Sequence, residues 1–330
     1  MSLLTYLSTG LCLLYSQPGP FIFKVENLSF VSYPIDRRIC PKIDPVRDII
    51  FELYTSANPS TPQILSIDND SSVVSSNIDF SLPTKIFVHG FLESSNADDA
   101  FQIKERYLQL GNYNVILVNT ERLFAGISYP TAARNVLPVG QFTAKFIDFL
   151  VTRGLKLSAT HLIGMSLGAH VVGIAGQLLT SGKVSRVTGL DPARQLFESV
   201  PENERIGQNS GVFVDIVHTN AGGFGLDENL GSVDIWINGG KKQPGCSISE
   251  SWRRTHTLSE ILFCNHRQAD RLYIMSLINP KSYPITQCDS YEDFVEGNCR
   301  GNDITYLGED MNPMARGNYY GNPGATALTL

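Results

Sequence analysis

The sequence predicts an α/β fold: a mainly parallel central sheet flanked by helices on both faces. Three observations predict it. Short β-rich runs over 84–88, 114–118, 161–163, 184–190, 212–218 and 233–237 are interleaved with helical patterns over 96–110, 134–153 and 171–179, the alternation expected of strand–helix–strand crossovers. One apolar run, His161-Leu162-Ile163, turns at once into a helix through Gly164-Met165-Ser166-Leu167-Gly168. No repeat, low-complexity tract or long linker divides the 330 residues, of which 42% are hydrophobic. That length can bury one large core, so residues 21–330 read as a single domain.

Taken in order, the chain opens with an apolar stretch from Leu3 to Tyr15, interrupted by Thr5, Ser8 and Thr9. It is too short and too polar to span a membrane. We read residues 1–20 as a signal peptide, although no Lys or Arg precedes the stretch and no A-x-A site follows it. The sequons Asn27-Leu28-Ser29 and Asn69-Asp70-Ser71 make Asn27 and Asn69 glycosylation candidates and agree with secretion. Residues 17–45 are Pro-rich and irregular. Arg47 to Thr55 reads as a strand, with Ile49, Phe51 and Leu53 on one face. Residues 56–83 are polar, with short strands at most. In the helical pattern over 134–153, Pro138 is tolerable only near the helix start. Residues 257–277 read as helical, and the Gly/Asn/Pro-rich tail holds one strand near Tyr319.

The net charge of −6 gives no electrostatic case for nucleic acid. Cys12 falls in the leader. Of the other five cysteines, Cys246, Cys264, Cys288 and Cys299 form two local pairs, which suits disulfides in an oxidising compartment. No C-x-x-C or H-x-x-x-H accompanies them, so zinc is not indicated. Cys40 is left over, either free or paired with Cys12.

The segment Gly164–Gly168 fits G-x-S-x-G, the nucleophile elbow of α/β-hydrolases. A strand that turns directly into a helix strains the serine backbone, and residues two positions either side must be small. The Ser166 hydroxyl is then held clear of the sheet, and the amide of Leu167 points to where an oxyanion would form. A nucleophilic serine requires a base and an acid that orients it. Asp191-Pro192 ends the next strand, and adjacent parallel strands bring their C-terminal ends to one edge, so Asp191 is the acid. Asp215 is the rival, but it lies within a strand and suits bracing a turn. His218, His256 and His266 follow. His266 is preferred as base because a cross-linked Cys264 would anchor it; His218 and His256 read as structural or surface, as do His161 and His170. Gly90 permits a tight turn after an early strand, and the Phe91 amide is the second oxyanion donor. Between Cys246 and Cys264, Trp252, Leu258, Ile261 and Leu262 with Arg253 and Arg254 suit a flap that lies on a lipid–water interface and contacts substrate.

These motifs together resemble the animal pancreatic-lipase family, including the secreted phospholipases A1 of insects. The resemblance runs from about Arg47 to the C-terminus. Its marks are Pro83 to Phe91, the Gly164–His170 elbow, Gly189-Leu190-Asp191-Pro192-Ala193, Val214 to Thr219, Asn238-Gly239-Gly240, Pro244-Gly245-Cys246, Cys264-Asn265-His266 and Ala315-Arg316-Gly317. It implies an α/β-hydrolase fold, the triad Ser166, Asp191 and His266, an oxyanion hole at Phe91 and Leu167, disulfides Cys246–Cys264 and Cys288–Cys299, and a lid within the first disulfide loop. Met165 replaces the usual histidine before the serine, at a position outside the chemistry. The vertebrate members continue into a C-terminal β-sandwich, which is not expected here. The family's structural calcium site falls on residues 201–210, where Gly207 and Ser210 replace expected aspartates, so no cofactor or metal is expected. The loop from Thr219 to Val233 is short for a triglyceride lipase, which the family associates with phospholipase A1 activity. The sequence therefore points to a secreted, extracellular hydrolase of phospholipid or acylglycerol at a lipid–water interface, with phospholipase A1 first and neutral-lipid lipase second. A non-catalytic, yolk-type lipid-binding relative is the reading from another class.

Overall fold

Ile86 and Val88 on one side of a strand and Phe87 on the other all lie in apolar cores. The same two-sided alternation recurs at Val115 to Val118 and at Leu162-Ile163. Successive strand residues point to opposite faces, so strands covered on both faces read as continuous apolar runs. The computed structural model describes residues 21–25, 28–32, 43–126, 128–255 and 258–324. Residues 1–20, read above as a signal peptide, lie outside the described residues with Cys12 among them, as do Asn27, Cys40 and His256.

A hairpin, β1 (Phe21–Val25) and β2 (Leu28–Ser32), precedes the main sheet. That sheet has eleven strands. In chain order they are β3 (Ile50–Tyr54), β4 (Gln63–Leu65), β5 (Thr84–Val88), β6 (Asn114–Asn119), β7 (Thr160–Met165), β8 (Arg186–Leu190), β9 (Phe213–His218), β10 (Val233–Ile237), β11 (Pro284–Gln287), β12 (Ile304–Tyr306) and β13 (Gly317–Gly321). Their spatial order is β12-β11-β13-β10-β9-β8-β7-β5-β6-β3-β4. From β6 through β13 every neighbouring pair is parallel, while β3, β4, β11 and β12 pair antiparallel at the edges. One face carries Phe146, Ile147 and Leu150 of the Tyr129–Val151 helix with Val171, Val172 and Ile174 of the Leu167–Leu178 helix. The other carries Ile103 and Tyr107 of Asp98–Leu110 with Leu272 and Tyr273 of Gln268–Ile278. This is the α/β-hydrolase architecture.

Several boundaries differ from the sequence expectation. Arg47 and Asp48 are not in the strand: Pro45–Asp48 is a helical turn, started by proline and closed by the Asp48 carboxylate accepting from the Asp44 N–H at 2.9 Å. The helix expected from Arg134 begins at Tyr129, with Pro130 in its first turn, so Pro138 lies in its interior. An interior proline costs roughly 3 kcal/mol, offset by a deeply buried face against the neighbouring helix. Gly140 permits that approach, because a Cβ there would sit 2.7 Å from Ile174. A short helix, Asp70–Val74, occupies the stretch expected to hold strands at most; Asn69 caps it, accepting from the Ser72 N–H at 3.3 Å. The tail forms three strands and the Tyr291–Glu296 helix, cross-linked by Cys288–Cys299.

Candidate active site

The parallel strands deliver four chain segments to one edge: His89 after β5, Ser166 after β7, Asp191 after β8 and Thr219 after β9. Ser166 sits between β7 and the Leu167–Leu178 helix at φ 56°, ψ −115°, a strained conformation for a side-chain-bearing residue. Its N–H donates to Leu190 O at 3.0 Å. The flanking glycines have a more specific cause than mutual side-chain clash. A Cβ on Gly164 would lie 2.2 Å from Gly168 O, and one on Gly168 would lie 2.1 Å from Val88 O in the adjacent strand. The helix therefore starts directly against sheet backbone. As its first residue, Leu167 has an amide with no carbonyl to bond within the helix.

Asp191 and His266 meet: His266 Nδ1 lies 2.6 Å from Asp191 Oδ2. The other oxygen, Oδ1, accepts from the N–H of Thr219 at 2.8 Å and of Asn220 at 3.0 Å. A Cβ at Gly225 would stand 2.5 Å from this carboxylate, so the loop after β9 closes over it only with glycine there. His266 is anchored by its carbonyl, which accepts from Thr219 Oγ1 at 3.3 Å, and by the Cys246–Cys264 disulfide two residues before it.

The rejected histidines hold structure together. His218 Nε2 meets Asp234 Oδ1 at 2.8 Å, and its ring stacks on Trp236. His170 Nε2 donates to Ala193 O at 2.7 Å, joining the elbow helix to the Asp191 loop. His161 bonds Thr188 at 2.8 Å. Asp215 does not brace a turn. It pairs twice with Arg186, at 2.8 and 2.7 Å, within the sheet, where a buried guanidinium needs a carboxylate.

Phe91 lines the same cavity as Ser166 and His266, with its ring edge-on to Tyr129. Two residues that the sequence reading passed over hold its loop. His89 is fully desolvated. Thr120 N–H donates to its Nε2 at 3.1 Å, so Nδ1–H donates to Gly90 O at 3.0 Å. Burial lowers its pKa to about 4, so the clamp stays neutral. The His89 ring resonances should therefore be flat from pH 8 to 5 by NMR and titrate only near pH 4; a midpoint near 6.5 would contradict the clamp. Glu93 accepts the Gly90 N–H at 2.8 Å. Gly90 itself approaches Ser166 closely, with a built Cβ 3.1 Å from the serine Cβ.

Glu93, Asp99 and Asp270 offer carboxylate oxygens within 4.8 Å of one another, yet Arg267 already compensates them. Its guanidinium lies 2.6 Å from Asp99 and 3.8 Å from Glu93. Burial pushes Glu93 up and Asp270 well up, whereas Arg267 holds Asp99 down despite burial. The signal for this set was present in the sequence as Glu93 three residues past Gly90 and Arg267 next to His266.

The cavity measures about 360 Å³. Its lining combines the polar Glu93, Asn96, Asp98 and Arg267 with the apolar Leu92, Tyr129, Phe224 and Phe263. Helices Ile248–Thr255 and Leu258–Phe263 fill the Cys246–Cys264 loop. The side chains of Trp252 and Leu258 lie outside the described residues. Ile261 and Leu262 are half-buried and do not line the cavity; Phe263 does, packed on Phe224 at 4.7 Å between ring centroids. Successive helix residues differ by about 100° in direction, so one of three neighbours faces inward, and it is Phe263. Among the described residues no helix is long and apolar enough to cross a membrane.

A family model described as Lipase matches residues 34–318. Inactive pancreatic lipase-related protein 1 of Homo sapiens is 34% identical over 265 residues, covering 76% of this chain and 56% of that protein. Lipase member H of Xenopus tropicalis is 35% identical over 251 residues, covering 75% and 52%. Pancreatic triacylglycerol lipase of Myocastor coypus is 34% identical over 265 residues, covering 76% and 57%. The chain spans about half the length of these curated relatives.

Proposed function

Since the chain belongs to the Lipase family, we propose that it is a serine carboxylic-ester hydrolase of lipids. The observation that carries this is the 2.6 Å contact of His266 Nδ1 with Asp191, beside the cavity that Ser166 and His266 share. Asp191 fixes the tautomer with its proton on Nδ1, which leaves Nε2 to take the Ser166 proton. Ser166 Oγ attacks the acyl carbonyl, and the Phe91 and Leu167 amides receive the oxyanion. His266 then protonates the leaving alcohol, and water releases the acyl group by the same path. Each oxyanion donor contributes about 3–4 kcal/mol to lowering the barrier.

Phospholipase A1 activity is the first choice of substrate class. Two features support it: the short loop from Thr219 to Val233, which packs on Asp191 at Gly225 and reaches the cavity only with Phe224, and a cavity lining that combines charged and apolar side chains, which suits an amphipathic ester. The test measures sn-1 fatty-acid release from phosphatidylcholine vesicles beside triolein hydrolysis. Turnover of triolein alone would sink the phospholipase reading in favour of neutral-lipid lipase, the activity in the name of the Myocastor coypus relative. The human relative named inactive motivates a second check. A fluorophosphonate probe should label wild-type protein and not Ser166→Ala; absence of labelling in folded wild type would favour a lipid-binding role. The two disulfides fit an oxidising compartment and support a secreted protein.

A further inference from the structure

The segment 201–210, where the family resemblance would place structural calcium, holds a donor instead of ligands for a cation. Gln177 lies near the end of the elbow helix. Its Nε2 donates to Arg205 O at 2.8 Å, Glu202 O at 3.1 Å and Ser210 Oγ at 3.1 Å. Chain oxygens converging on one point form the kind of shell a hard cation requires. Here an NH₂ group occupies that point, and because carbonyls only accept, the amide must turn its nitrogen inward. Ser210 Oγ also accepts the Gly207 N–H at 3.1 Å. Gly207 brings no side chain and Ser210 only a neutral hydroxyl, while Arg205 draws the nearby Glu228 carboxylate to itself at 2.5 Å. Among the described residues, the one cluster of three potential metal ligands lies elsewhere, at Glu93, Asp99 and Asp270. The residues present therefore do not fit calcium.

We infer that the Gln177 amide replaces a resident cation and makes this fold calcium-independent. The segment it ties down is pressed against the helix behind Ser166. Ile206 N–H donates to His170 at 3.3 Å, and a Cβ on Gly176 would lie 1.9 Å from Ser210 O. An unpinned segment would loosen that helix from its far side.

The test compares melting temperatures after exhaustive EGTA treatment and in millimolar CaCl₂. Wild type should melt at the same temperature in both. Gln177→Ala, which leaves two carbonyls and a hydroxyl without their shared donor, should melt roughly 3–8 °C lower. Gln177→Glu, which puts an acceptor among acceptors, should lose as much in EGTA and recover in CaCl₂. A wild-type melting temperature that falls in EGTA and returns with calcium overturns the inference, as does a Gln177→Ala protein that melts with wild type. Should Gln177→Ala not fold, calorimetric titration of wild type with CaCl₂ decides. Stoichiometric binding in the micromolar range overturns the inference, and no binding heat up to millimolar calcium sustains it.

Discussion

Asp191→Asn should lower kcat by about 10⁴-fold with the protein still folded. The carboxamide oxygen can keep the Thr219 and Asn220 N–H bonds that now reach Oδ1, so the side chain keeps its place. Its NH₂ then faces His266 Nδ1 and donates where Asp191 accepts. The imidazole must carry its proton on Nε2 and cannot take the serine proton. Steady-state ester hydrolysis, with circular dichroism as the folding control, measures both halves. A kcat within tenfold of wild type would remove Asp191 from the mechanism.

Gly168→Ala should instead abolish the fold around the elbow. The added Cβ would stand 2.1 Å from Val88 O and 2.7 Å from His89 O. Both are backbone atoms at the end of a central strand paired on either side, and close-packed interiors have no room to retreat. The expected cost is about 4 kcal/mol or more, at the top of the range for single substitutions, seen as insoluble protein or a melting temperature at least roughly 6 °C lower. Gly207→Ala is the control: nothing lies within 4 Å of its Cβ and its backbone is extended, so its melting temperature should stay within about 1 °C of wild type. Equal melting of the two variants would refute the packing argument.

The parallel core and the meeting of Asp191 with His266 were legible because each rests on local chemistry: apolar runs of strand length, glycines around a serine, a strand-ending Asp-Pro and a histidine beside a cysteine. Distant partners were not legible. Nothing near Pro138 reveals that a neighbouring helix repays its cost. Nothing near Asp215 shows that Arg186, on the adjacent strand, will claim it. His89 was visible in the motif, but its work as a clamp depends on Thr120, a turn residue beyond the next strand. The choice of Phe263 over Ile261 and Leu262 at the cavity wall depends on the rotation of a six-residue helix, which apolar composition does not specify.

The cystine at 246 and 264 holds two Cα atoms 5.4 Å apart, and both helices of the intervening segment leave and return through that narrow neck. The cross-link closes the segment into a loop of its own. Its end cannot drift from the imidazole, which stands two residues past the second cysteine. One covalent loop thereby serves both the cavity wall, through Phe263, and the proton relay, whose base it holds in place.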